Sequence, residues 1–225
     1  FDLLQTELRD LPARQRNMQA ILTYSWQRLS TEEQAVLMRL ALFQGGFDRN
    51  GAKQVAGASL PILVRLADKS FIQPVAGERY EIHELLRQYA RNQLEAAGAL
   101  GDTQTAHGTY YLTLLHNCEE QLAGAGQVAA IGQIEDNFEN IRSAWQWAVA
   151  TERADLIDYA LDGLFRWFWL RRSRQKEGIA LLSAATQQWT TMVNQASHPL
   201  WGRLVVRQIE QQGPWLVDPV AARTR

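Results

Sequence analysis

The segment Arg79-Tyr80-Glu81-Ile82-His83-Glu84-Leu85-Leu86-Arg87-Gln88-Tyr89-Ala90 changes period in its middle. Tyr80 and Ile82 alternate with polar neighbours as in a half-buried strand, whereas Leu85, Leu86, Tyr89, Ala90 and Leu94 recur at helical spacing. The switch falls on His83, which places an imidazole where a short strand becomes an amphipathic helix. At such a junction the ring either caps the following helix, fills a seam between domains, or faces an anion held by a neighbouring module.

Upstream of this junction the chain reads as short helices closed by a hairpin. Residues 1–12 end in Leu11-Pro12, a linker or helix end, because the residue before proline is steered away from helix. A first helix is expected over 13–28. Ser30 and Glu33 have capping-box spacing ahead of the apolar stripe Val36, Leu37, Leu40 and Ala41. Phe43-Gln44-Gly45-Gly46-Phe47 breaks that helix, Asp48 is placed to cap a third, and Ser59 with Pro61 opens a fourth carrying Ile62, Leu63, Leu66 and Ala67. Two strands follow, over 71–74 and 79–82, joined by a turn containing Gly77. This order predicts a winged helix over 13–100.

Beyond residue 101 the pattern is helical throughout, with turns near Gly124 to Gly126, Thr151 and Ser173. Tyr110, Tyr111, Leu114, Leu115, Cys118 and Leu122 mark one apolar face, and Phe138, Ile141, Trp145 and Ala148 a second, opened by an Asp136–Glu139 capping box. Leu156, Tyr159, Leu164, Phe165, Trp167 and Phe168 mark a third, and Ile179, Leu182, Ala185 and Trp189 a fourth. Such lengths predict stacked antiparallel helical hairpins of tetratricopeptide-like type over 101–196, none burying its own face alone. Residues 197–225 read as one more helix and a frayed tail. The fold class expected is therefore mainly α, a winged helix with a small β-hairpin followed by this array.

These motifs resemble the STAND signal-transduction ATPases of the NB-ARC branch, including bacterial transcriptional regulators. Ile82-His83-Glu84 matches that family's methionine-histidine-aspartate motif, with isoleucine and glutamate as departures. The likeness continues through Leu11-Pro12-Ala13-Arg14, Tyr24-Ser25-Trp26, Phe43 to Phe47, Asp68-Lys69-Ser70 and Asp136-Asn137-Phe138-Glu139-Asn140-Ile141-Arg142. It implies that His83 contacts the β-phosphate of ADP held by an upstream nucleotide-binding domain, and that the winged helix docks there to hold an off state. It also implies ADP or ATP with Mg for the full-length protein, and helical repeats that sense a protein, peptide or small-molecule inducer. Arg14 and Arg16 are candidate cations at the interdomain seam, with solvated helix charges as the alternative.

The chain itself carries no Gly-x-x-x-x-Gly-Lys-Ser/Thr loop, so no enzymatic activity and no cofactor are expected of it, and Gly45-Gly46 reads as a turn. With 23 Lys and Arg against 24 Asp and Glu, the formal charge of −1 supplies no bulk pull toward nucleic acid or an anionic membrane. Its single cysteine, Cys118, precludes an internal disulfide and suits a reducing cytoplasm. No signal segment or membrane span is read. A start at Phe1 suggests a piece of a longer protein.

The helix of residues 60–69 offers only Arg65 and Lys69 as cations beside an apolar majority, which argues against direct DNA recognition. Trp145, Trp167 and Phe168 are expected in the core. Trp147 and Trp169 fall partly off the stripes and, with Arg166, Arg171 and Arg172, form a candidate partner surface, since tryptophan and arginine are favoured interface anchors. His83, His107, His116 and His198 lack metal-ligand spacing, and Glu32-Glu33 and Glu119-Glu120 read as solvated faces. Two alternatives stay open: a winged-helix transcription factor with a helical dimerisation domain, and a helical-repeat scaffold for protein binding.

Overall fold

The computed structural model describes the backbone of residues 13–191 and 199–212, and the side chains of 20–190 and 199–211. They fall into two compact units that divide between Thr103 and Gln104.

The first unit contains helices α1 (Ala13–Gln27), α2 (Thr31–Leu40), α3 (Arg49–Ala56), α4 (Leu60–Asp68) and α5 (Glu84–Ala96), and strands β1 (Phe47–Asp48), β2 (Gln73–Val75) and β3 (Arg79–Glu81). Helix, strand, two helices, hairpin is the order of a winged helix. Its start signals act as their chemistry dictates: the Ser30 hydroxyl accepts from the Glu33 amide at 3.2 Å while the Glu33 carboxylate accepts from the Ser30 amide at 2.8 Å. Asp48 accepts from the Gly51 amide at 2.6 Å to open α3, and Pro61 occupies the first turn of α4.

The sheet has the order β1-β3-β2, all antiparallel, with Phe47 and Pro74 on either side of Tyr80. The proline sits in an edge strand, where no ladder donor is missed. The hairpin strands are shorter than the 71–74 and 79–82 spans expected, and β1 was not expected at all. A two-residue strand has no period to read, and its partner lies in β3, far along the chain. Gly45 (φ +68°) and Gly46 (φ +87°) turn α2 into β1, and a side chain on Gly46 would meet the Tyr80 carbonyl at 3.0 Å. Leu37, Leu40, Phe47, Leu63, Leu66, Ile72 and Leu94 form the core, and the Trp26 and Tyr89 rings, 5.5 Å apart, join α1 to α5.

The second unit begins within α6 (Leu100–Asn117) and continues through α7 (Glu119–Leu122), α8 (Gln127–Asp136), α9 (Phe138–Ala150), α10 (Ala154–Leu170), a 3-10 turn (Arg172–Arg174), α11 (Gln175–Thr191) and α12 (Pro199–Gln212). From α9 onward each helix packs on the next and on the one after it, so a single apolar seam runs through the stack. Trp145, Trp167, Phe168 and Trp189 fill it, all essentially inaccessible, and the Trp145 indole donates to the Leu181 carbonyl at 3.4 Å. Three helix crossings depend on missing side chains, one of them at Gly178, where a Cβ would lie 2.5 Å from the Phe168 ring. A Cβ on Gly163 would lie 2.6 Å from the Leu115 carbonyl oxygen, and one on Gly108 would lie 2.3 Å from the Trp147 ring.

Local packing departs from the expected faces at several positions. The Asp136–Glu139 box does not form, because α8 runs through Asp136 and only Asn137 separates it from α9; Asn137 turns back to the Gln133 carbonyl, and Glu139 pairs with Arg142. Tyr159 is 43 % exposed and stacked on His116 at 3.7 Å, since Ile157, Ala160, Leu161 and Leu164 take the buried stripe of α10. Tyr110, Phe165 and Ile179 are half-buried rather than core.

Candidate functional site

His83 is the N-cap of α5, and its ring is exposed. Its Nδ1 accepts from the Leu85 amide at 3.3 Å. A nitrogen that accepts carries no proton, so in the neutral ring the proton sits on Nε2. Nε2 has no hydrogen bond among the described residues, which makes the capping geometry itself aim an N–H donor away from the domain. Beside it the Glu84 carboxylate takes a bidentate pair from Arg87 at 2.7 to 2.9 Å. That guanidinium holds the Glu84 carboxyl below the usual range; burial opposes it, and Gln88 and His83 add to the lowering. The cation next to the junction is therefore already committed, and His83 is the donor left for an outside anion. A cavity of about 220 Å³ lies at the same junction, walled by Phe43, Gly46, Glu81, Ile82, Glu84 and Arg87; His83 is not part of its wall.

A second polar centre lies between α2 and α4. Glu33, read from sequence as solvated, is only 1 % exposed. Its carboxylate receives Arg65 Nε at 3.1 Å and Lys69 Nζ at 2.7 Å, while Glu32 lies 3.4 Å from the same guanidinium. Burial pushes the Glu33 carboxyl up, but hydrogen bonds from Lys69, the Ser30 amide and Arg65 outweigh it and bring the pKa down to about 2. Arg65 and Lys69 sit four apart on one helix face, a spacing visible in sequence. Their acceptor, more than thirty residues away, was not. The outer face of α4 is left with Leu60 and Val64, 43 % and 48 % exposed. Glu33→Gln keeps a residue able to complete the cap but removes the charge, and is expected to cost about 1 to 2 kcal/mol in urea denaturation.

Of the candidate partner surface, the structure gathers Trp169, Arg166 and Arg172 at the C-terminal end of α10. Trp169 is 45 % exposed, with the Phe165 ring 5.9 Å away and the Arg172 guanidinium 5.5 Å from its centroid. Arg166 reaches Glu119 at 3.8 Å, and Arg171 is paired with Glu135. Trp147 is engaged elsewhere, half-buried over Gly108 with Arg153 5.9 Å from its ring. Arg14 and Arg16 lie near the start of α1, and their side chains lie outside the described residues.

His107, one of the four histidines without metal-ligand spacing in the sequence, is buried. It bonds Asn140 at 3.2 Å, and burial, partly offset by that bond, lowers its pKa to about 4. No described helix is long and apolar enough to cross a membrane.

No protein-family model matches the chain, and no solved structure matches it. Among curated proteins it is 28 % identical over 193 residues to the "Putative HTH-type transcriptional regulator Rv0890c" of Mycobacterium tuberculosis, and equally to that named Mb0914c in Mycobacterium bovis. The match takes in 80 % of this chain but 21 % of each relative, so the chain spans about a fifth of the length of the curated proteins it matches.

Proposed function

We propose that this chain is the winged-helix and helical-repeat segment of a transcriptional regulator, in which the winged helix docks on a nucleotide-binding domain elsewhere in the protein and the repeats receive an inducer. The regulatory part of this reading is supported by the names of the mycobacterial relatives. The observation that carries the docking part is the tautomer that capping imposes on His83: Nδ1 is used on the Leu85 amide, and Nε2–H is presented to solvent. Donated to a phosphate oxygen of ADP, with Mg and the remaining phosphate contacts supplied by the other domain, it would form a charge-assisted bond of about 1.5 to 3 kcal/mol. A bond of that size made only in the closed state shifts a two-state equilibrium by roughly tenfold or more.

Release of a fluorescent ADP analogue from the full-length protein tests this. His83→Ala removes cap and donor together; His83→Asp keeps an N-cap oxygen but sets a carboxylate against the phosphate. Both variants are expected to release ADP at least tenfold faster, while only His83→Ala loses about 1 kcal/mol of stability. Unchanged release from both would leave His83 as a cap and nothing more.

The winged-helix order and the relatives' names favour a second reading, direct DNA binding. Against it stands the pairing of Arg65 and Lys69 with Glu33, which leaves α4 little positive charge for phosphates. Anisotropy titrations with duplex DNA at two salt concentrations separate the readings. A groove-bound protein loses affinity steeply with salt, whereas flat titrations are expected here.

A further inference from the structure

The arginines around the C-terminal half of α10 are not equivalent. Arg166 has Glu119, Arg171 has Glu135, Arg174 has Glu177 at 3.0 Å, and Arg207 is shared between Asp162 and Glu210 at 2.7 Å each. The Arg172 side chain has no hydrogen bond or ion pair among the described residues. It is exposed, in the short turn after α10, and lies over the exposed Trp169 ring. A guanidinium stacked on an indole keeps its in-plane N–H fork available, the geometry that takes a carboxylate through two parallel bonds. Beside the pair, Leu170 is 38 % exposed. Beneath it Phe165 is braced by Arg207, 4.7 Å from its centroid. The Phe165 contact restricts the indole on one side, which lowers the entropy lost when something binds to it.

We infer that Trp169, Leu170 and Arg172 form a docking site for an acidic peptide segment, one carrying a carboxylate side chain next to an aromatic or aliphatic one. The carboxylate pairs with the Arg172 fork while the apolar side chain covers the open part of the indole and Leu170. Charge complementarity selects the occupant. The uncommitted Arg172 guanidinium takes a single carboxylate; Arg166, Arg171 and Arg174 around it are each already paired with a glutamate, so the row of free cations that a polyphosphate backbone needs is missing. A basic peptide meets Arg172 itself. This deepens the reading of the repeats as a receiving element by naming the partner's chemistry. It rests on the second unit alone, so loss of the His83 latch would leave it standing.

The test is fluorescence anisotropy with the whole chain and four pools of labelled, N-acetylated octapeptides: Glu or Asp interleaved with Trp, Phe and Leu; Glu or Asp interleaved with Gly; Lys interleaved with Trp, Phe and Leu; and uncharged. The first pool is expected to bind in preference to the other three, and Trp169→Ala and Arg172→Glu each to weaken it at least tenfold with unchanged circular dichroism. Arg172→Lys, which keeps the charge but loses the fork, is expected to fall between. Equal binding of the glycine pool would mean ionic attraction alone, and equal binding of the lysine pool stickiness alone; either overturns the proposal. So does the failure of every pool, or indifference to both Trp169→Ala and Arg172→Glu. Sedimentation equilibrium adds a further arm: a self-associated species that Trp169→Ala dissolves, without acidic-peptide binding, would assign the face to a second copy of the chain and overturn the proposal.

Discussion

Gly163→Ala is expected to destabilise the helical unit by about 3 kcal/mol, at the upper end of what overpacking costs. Alanine is the better helix former by about 1 kcal/mol, so propensity alone predicts the opposite sign. Geometry decides the matter. The added methyl would sit 2.6 Å from the Leu115 carbonyl oxygen, a backbone atom of α6 that no rotamer change can move. The two helices must separate, and the apolar contacts along their crossing open with them. Gly132→Ala is the control, since Gly132 lies inside α8 with nothing within 4 Å of a new Cβ. That substitution is expected to stabilise by up to about 1 kcal/mol. Urea midpoints moving in opposite directions for two glycine-to-alanine changes in helices would establish the close crossing; a shared sign would refute it.

Acidification from pH 7 to pH 4 is expected to remove about 3 kcal/mol of stability through His107 alone. Its pKa is held near 4 in the fold, against a reference value of 6.5. Between those values the unfolded chain binds a proton that the folded chain refuses, so stability is flat above about pH 7 and falls as pH drops through 6.5 toward 4. Burial is the main cause; the Asn140 bond, which favours the protonated ring, only moderates it. Glu33 contributes in the same direction but lower down, being lost between its reference value of 4.5 and about 2. The interval from pH 6.5 to 5 therefore reports His107. Thermal melts over that interval should slope in the wild type and flatten in His107→Gln, which keeps an amide donor for Asn140. An equal slope in both would place the titrating group elsewhere.

Much of the first unit was legible because its signals are local. Ser30, Asp48 and Pro61 satisfy or dispense with backbone donors within a few residues, and the change of period at His83 marks the strand-to-helix boundary at β3 and α5. The candidate site was legible only in part. That a histidine stood at the junction could be read; that it caps through Nδ1, and so which nitrogen faces out, required coordinates. What sequence hid are contacts whose partners lie far apart along the chain. Glu33 looks like a solvent-facing glutamate until α4 folds over it, and Trp147 looks unplaced until Gly108 opens a slot for its ring. The failed capping box at Asp136 has a different origin: the local signal is present, but α8 supplies the preceding turn and leaves no free helix end to be capped.

The carboxylate of Glu33 has two duties at once, closing the first turn of α2 and fastening two side chains of α4. A negatively charged visitor that drew Arg65 and Lys69 toward itself would compete with Glu33 for both, and the loser's freedom would be felt at Ser30. Occupancy on the outside of one helix would then be announced at the beginning of another, through a single side chain and without any hinge.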